Sequence, residues 1–199
     1  MKTKRAKVTK EWTRALFHTC SGLTVVLVYG LTNIGRGQAL VILGAVALFF
    51  LLGDVLRQFI PSVNRLARKM FRLIMRPEEK DRIASTTYYV IGCWVAILTF
   101  PRVIACISIL FLAVSDTLAK MIRHTRNRYF IPEAILGNFL VCFSMAWLLF
   151  KVTETPGAVL LSFLGALGAS LAEMIPKVDN LAIPLFGGVL IGFGIYLIG

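Results

Sequence analysis

The stretch 38–58, QALVILGAVALFFLLGDVLRQ, decides the fold. A helix needs about 20 mostly apolar residues to cross a bilayer, and this run is 21 residues long, with Asp54 and Arg57 near its end. Similar runs lie on both sides. The spans predicted are 15–32, 38–58, 84–100, 102–122, 132–150, 156–175 and 181–198. Prolines at 61, 77, 101, 132, 156, 176 and 184 fall at or near their ends, where helix termini leave unsatisfied groups and tolerate proline. The expectation is one membrane domain over residues 1–199: all-α, polytopic, about seven transmembrane helices.

Composition agrees. The chain is 57% hydrophobic and only 16% charged, with mean hydropathy +0.77, whereas soluble domains are about a quarter charged. It has too little polar surface to face water all round. That excludes a soluble enzyme, a disordered tail and a secreted disulfide scaffold. The cysteines Cys20, Cys93, Cys106 and Cys142 all sit in apolar runs, without metal-binding spacing, and read as small buried hydrophobes. The basic head 1–14, MKTKRAKVTKEWTR, precedes the first run as in a signal peptide. No small-x-small cleavage site closes that run, so it reads as a retained span.

A net charge of +12 would ordinarily raise nucleic acid as a partner. Here the cations lie between spans and report topology instead. Nineteen fall in the head, in the links after spans two, four and six, or at their edges; Arg36, Arg102 and Lys151 alone fall on the other side. The positive-inside rule then places the N-terminus in the cytoplasm and, with seven spans, the C-terminus outside. Within the second link, 63–76 (VNRLARKMFRLIMR) puts Val63, Leu66, Ala67, Met70, Phe71 and Ile74 on one helical stripe, with basic residues mostly away from it. It reads as an interfacial helix on anionic lipid head groups. Glycines of the last two spans suggest close helix packing.

Ionisable groups within spans are costly and mark candidate sites. Asp54, Asp116, Glu173 and Asp179 all fall at the cytoplasmic depth of this topology. Each also has a plain structural reading. Asp116 and Lys120 are four apart on one helix face, Asp54 and Arg57 three apart, and Lys177 follows Glu173 by four. Asp179 and Asn180 suit either a helix cap or oxygen ligands for a hard cation. Acids and bases mixed at a cytoplasmic membrane face suit a nucleoside triphosphate whose charge is partly neutralised by Mg²⁺ and clamped by Lys and Arg. No G-x-x-x-x-G-K-[ST] loop or protein-kinase motif set occurs.

Four pieces, in order, carry a family resemblance: Glu11, Arg14, His18 and Gly22 as E-x-x-R-x-x-x-H-x-x-x-G; Asp54, Arg57, Pro61 and Asn64 as D-x-x-R-x-x-x-P-x-x-N; the segment ending Asp116-Thr117-Leu118-Ala119 as D-T-x-A; and Glu173, Asp179, Asn180 and Pro184 as E-…-D-N-x-x-x-P. The chain resembles the CTP-dependent lipid kinases (dolichol, phytol and CTP-using diacylglycerol kinases), relatives of the phosphatidate cytidylyltransferases. The resemblance implies a kinase using CTP and Mg²⁺ on a membrane lipid alcohol, a polyprenol or isoprenol first and diacylglycerol second. It implies that Asp116, Asp179 and Asn180 hold the metal and phosphates. Glu173 orients them or takes the alcohol proton, and Lys120, Lys177, Arg123, Arg126 and Arg128 clamp phosphate. Arg14, His18, Asp54, Arg57 and Asn138 join the nucleotide-binding set, although His18 is equally readable as a packed histidine. One segment departs from the pattern. Where the family has K-T-x-E-G-S, this chain has EAILGN, with Glu133, Ala134 and Leu136 at the lysine, threonine and glutamate positions. Two rivals follow: a catalytically impaired member serving as a lipid-binding or regulatory subunit, and a small lipid transporter. Transporter sites lie near the midplane, unlike these acids.

Overall fold

Every apolar run folds as a helix in the computed structural model. It describes residues 2–71, 79, 82–126, 132–175 and 178–199, with the backbone alone for 2–11, 115, 116 and 118–126. Eight helices follow one another among the described residues: α1 (Lys2–Leu31), α2 (Arg36–Phe59), α3 (Pro61–Met70), α4 (Ser85–Thr99), α5 (Arg102–Arg126), α6 (Pro132–Val152), α7 (Ala158–Ala172) and α8 (Asp179–Ile198). Four segments are long and apolar enough to cross a membrane: Trp12–Leu31, Arg36–Phe59, Pro132–Val152 and Asp179–Ile198. Three shorter apolar segments, Ser85–Thr99, Arg102–Val114 and Ala158–Ala172, fall within the remaining runs read from the sequence. The protein is thus a polytopic helical membrane protein. The basic head is continuous with the first span, because nothing between Lys2 and Trp12 breaks the helix.

α5 is the hub. Ile104 to Ala113 are all buried, and the helix packs on α1, α8, α6 and α4. A helix apolar all round belongs in such a position. α7 lies against both α6 and α8, and α2 packs on α4 at the periphery. α2 turns Val41, Phe49 and Phe59 outward, each more than 70% exposed. Around a bilayer-spanning bundle that exposure is the lipid face rather than an aggregation hazard. Glycine enables the tightest crossing: a Cβ on Gly168 would stand 2.5 Å from the Phe186 carbonyl oxygen of α8, so only glycine lets these backbones meet.

α3 begins with Pro61 at its first turn and buries none of its residues. Leu66 and Met70 remain open, in keeping with an interfacial helix. The distal part of the predicted stripe, 72–76, lies outside the described residues.

At the end of the bundle away from the acids, Arg36 Nε donates to the Ile97 carbonyl at 3.0 Å and another Arg36 nitrogen to Leu98 O. Arg102 donates to Ile34 O at 2.5 Å and lies over the Tyr29 ring at 5.0 Å. Arg36 thus caps the carbonyl end of α4, whose last C=O groups lack helical partners, and Arg102 holds the link between α1 and α2. Lys151 sits over Trp147 at 5.1 Å. All three cations that the charge count assigns to this side therefore have local structural work.

Candidate functional site

The opposite end of the bundle gathers the C-terminal turns of α2 and α7 with the N-terminal turns of α4, α6 and α8. Arg14, His18, Asp54, Arg57, Glu79, Thr87, Asn138, Glu173 and Asn180 are all buried there. Such density of buried polar groups is costly in an apolar bundle unless it is paired or used.

One half is a latch. Arg57 Nε donates to Asp54 Oδ1 at 2.6 Å, and Asp54 Oδ2 accepts from the Ala84 amide at 2.7 Å and from Thr87 Oγ1 at 2.5 Å. A further Arg57 nitrogen donates to Arg82 O. Asp54 therefore caps the start of α4, satisfying amide donors a helix leaves orphaned. The expected nucleotide-binding role of Asp54 and Arg57 meets a different geometry: both carboxylate oxygens are committed within the protein. The i,i+3 pairing noted in the sequence is the arrangement found.

The other half is centred on Ser85. Its hydroxyl donates to Glu79 Oε1 at 2.7 Å and accepts from Arg14. Arg14 and Glu79 also form an ion pair at 3.7 Å. The Ser85 carbonyl accepts from Asn180 Nδ2 at 2.9 Å. The α8 motif explains the fit. Pro184 has no N–H to offer the carbonyl four residues back, and that carbonyl, Asn180 O, lies where a Cβ on Gly92 would stand 2.5 Å away. Ser85 and Gly92, two turns apart on one face of α4, thus seat the first turn of α8.

His18 is fully buried, its ring stacked on Tyr89 at 4.5 Å, and the Tyr89 hydroxyl donates to the His18 carbonyl at 2.6 Å. One turn on, a Cβ on Gly22 would collide with the Tyr89 hydroxyl and lie 2.7 Å from Ala113 Cβ. The H-x-x-x-G spacing therefore packs α1 against α4 and α5. Thr19 and Thr117 Oγ1 atoms meet at 2.8 Å between α1 and α5. This brings the α5 backbone at Asp116, one residue before Thr117, level with Ala15 and Thr19 of α1.

Asn138 is buried on α6, and its Oδ1 lies 3.6 Å from Cys142 Sγ as acceptor. Of the EAILGN segment, Glu133 and Leu136 face outward while Ala134 and Asn138 are buried. Asp179, half-buried, opens α8 and accepts from the Asn180 amide at 3.0 Å; the N-cap position itself is Val178, so the cap expected of Asp179 and Asn180 is not formed. The side chains of Asp116, Lys120, Arg123 and Arg126, and the whole of Arg128 and Lys177, lie outside the described residues. Sequence reading missed Glu79, Ser85, Thr87 and Tyr89. The available signal was a hydroxyl run, Ser85-Thr86-Thr87-Tyr88-Tyr89, opening a span where apolar residues belong.

Among the described residues no three His, Cys, Asp or Glu side chains cluster as a metal site. Oxygen chemistry for a hard cation is nonetheless present. Asn180 Oδ1 is buried and, among the described residues, accepts no hydrogen bond, and the Asp179 carboxylate is its chain neighbour. An unmet buried acceptor costs about 1–3 kcal/mol, which a bound cation or its water would offset. The donor set fits Mg²⁺, which takes one or two carboxylates and keeps several waters.

The fold and this buried polar end define a polytopic helical membrane protein with a candidate site at one membrane face. Over 123 residues, 60% of its length, the chain is 31% identical to a Schizosaccharomyces pombe protein named CTP-dependent diacylglycerol kinase 1. The match takes in 54% of that protein, so the chain spans about half the length of the curated relative it matches. The similarity is a distant relationship. No family model matches the chain, and no solved structure does.

Proposed function

We propose that this protein phosphorylates a membrane lipid alcohol, taking the phosphoryl group from a nucleoside triphosphate, CTP in the first instance. The observation that supports this most is the concentration of buried Arg, Asp, Glu and Asn groups at one end of an otherwise apolar bundle. The distant relation to a protein named as a CTP-dependent lipid kinase agrees with it. In this reading Asp116, Asp179 and Asn180 hold Mg²⁺, and bound there the ion neutralises phosphate charge and orients the chain of phosphates. Lys120, Lys177, Arg123, Arg126 and Arg128 bind phosphate oxygens. Arg14, His18 and Asn138 line the nucleotide side, while Asp54 and Arg57 hold the start of α4.

Chemically, the lipid hydroxyl oxygen forms a bond to the terminal phosphorus. The bond from that phosphorus to its bridging oxygen breaks, CDP leaves, and Glu173 takes the hydroxyl proton. A polyprenol or isoprenol is the first-choice acceptor and diacylglycerol the second. The basic stripe of α3 holds the site against anionic head groups.

Purified protein offered CTP, ATP and GTP against polyprenols, short isoprenols and diacylglycerol should yield a lipid phosphate with CTP preferred. Lipid binding without turnover of any donor would favour the regulatory-subunit reading, to which the exposed Leu136 at the family's glutamate position would then belong.

The site would face the cytoplasm, with the N-terminus inside. Single-cysteine labelling in intact cells should protect positions 123–128 and reach 151–155 from outside. The reverse pattern would place the acids where no cytoplasmic nucleotide exists.

A further inference from the structure

Resting on that reading, we propose that Ser85 and Glu79 are positioning residues. Through the Ser85 carbonyl they fix the Asn180 carboxamide so that its oxygen alone is free to meet a divalent cation.

The argument starts from what a carbonyl can do. Ser85 O can only accept, so the Asn180 group 2.9 Å from it must be the Nδ2 amide. The carboxamide cannot turn over without losing that bond and setting oxygen against oxygen. Oδ1 is consequently directed away from α4, buried and, among the described residues, without a hydrogen-bond donor. A neutral oxygen held this way suits a hard cation, because it needs no deprotonation and pays little side-chain entropy on binding.

Ser85 is itself immobilised from three directions. Its hydroxyl bridges Glu79 and Arg14, and its amide donates to Glu79 Oε1 at 3.3 Å. Ala84, the residue before it, and Thr87, two residues after it, are tied to Asp54. Gly92 lets α8 approach close enough for the Asn180 amide to reach. The chain of contacts therefore runs from α1 (Arg14) through Glu79 and α4 to α8, over sequence separations of 71 and 95 residues. Neither Ser85 nor Glu79 touches the reacting atoms in the proposed mechanism. Its effect would be on how well the cation is held, as outer-shell partners of metal ligands typically cost about 10–100-fold in affinity when removed.

The test is Mn²⁺ binding to the full chain in nanodiscs, read from the loss of the free-ion electron paramagnetic resonance signal, with and without CTP. Lipid phosphorylation is followed in parallel. Ser85→Ala should weaken Mn²⁺ binding about tenfold and raise the metal requirement for turnover by a similar factor. Ser85→Thr, which keeps the hydroxyl, should restore both. Glu79→Ala should reproduce the Ser85→Ala defect, which guards against a variant that merely misfolds. Normal Mn²⁺ affinity in Ser85→Ala and Glu79→Ala, with wild-type protein binding the ion, overturns the positioning role and leaves the kinase reading intact. Wild-type protein that binds no Mn²⁺ even with CTP overturns both the positioning role and the metal assignment beneath it.

Discussion

Asp116→Asn should lower turnover by at least about a hundredfold while the protein remains folded and inserted. Losing an outer-shell partner already costs about 10–100-fold, and Asp116 is proposed to touch the metal itself. Asparagine keeps the volume and removes the charge a hard cation requires. The backbone of α5 supports the assignment indirectly: Thr117, the next residue, is half-buried and hydrogen-bonded to Ala15 and Thr19 of α1, beside Arg14 and His18. Initial rates across a Mg²⁺ titration, with the thermal unfolding midpoint as control, provide the check. Near-normal activity would make Asp116 only the helical partner of Lys120, as their four-residue spacing allows.

Asp54→Asn should act on the fold rather than on the metal. Removing one partner of a buried ion pair costs about 3–5 kcal/mol because the other charge stays buried. Here Arg57, 2% exposed, would lose the charge of the Asp54 carboxylate at 2.6 Å. The cap on the Ala84 amide and the Thr87 hydroxyl would weaken with it. The expected result is a large fall in the unfolding midpoint in lipid or detergent, together with lost activity. The pattern to look for is the contrast between variants: Asp116→Asn inactive but stable, Asp54→Asn unstable. A stable Asp54→Asn variant with weakened nucleotide binding would return Asp54 to the ligand set.

Local period made part of this legible before any coordinates. The apolar runs gave the spans, since a bilayer leaves the backbone few ways to satisfy its hydrogen bonds. The i,i+3 spacing announced the Asp54–Arg57 pair, and Asp179-Asn180 marked where α8 starts, although Val178 rather than Asp179 takes the cap position. The convergence of acids on one end followed from alternating helix directions alone. The Ser85 hub was not legible, because its partners come from positions 14, 79 and 180 and a single sequence does not encode which helices touch. Glu79 was passed over for a related reason: it lies in a link dominated by cations, where its burial had no local signature. His18 shows the converse. Its place in a motif was open to a ligand-binding group or a packed histidine, and only the structure shows its ring stacked on Tyr89, with the nearby glycine serving the same packing.

The central claim is phosphoryl transfer to a lipid, and the position of the label in the donor tests it directly. Purified protein in nanodiscs containing a polyprenol or diacylglycerol would be given CTP labelled at either the α- or the γ-phosphorus, with Mg²⁺. The account predicts solvent-extractable lipid carrying label from γ-labelled CTP and none from α-labelled CTP. Label from the α position would instead show cytidylyl transfer, and label from neither would show that the chain binds rather than converts its lipid; either result would contradict the account.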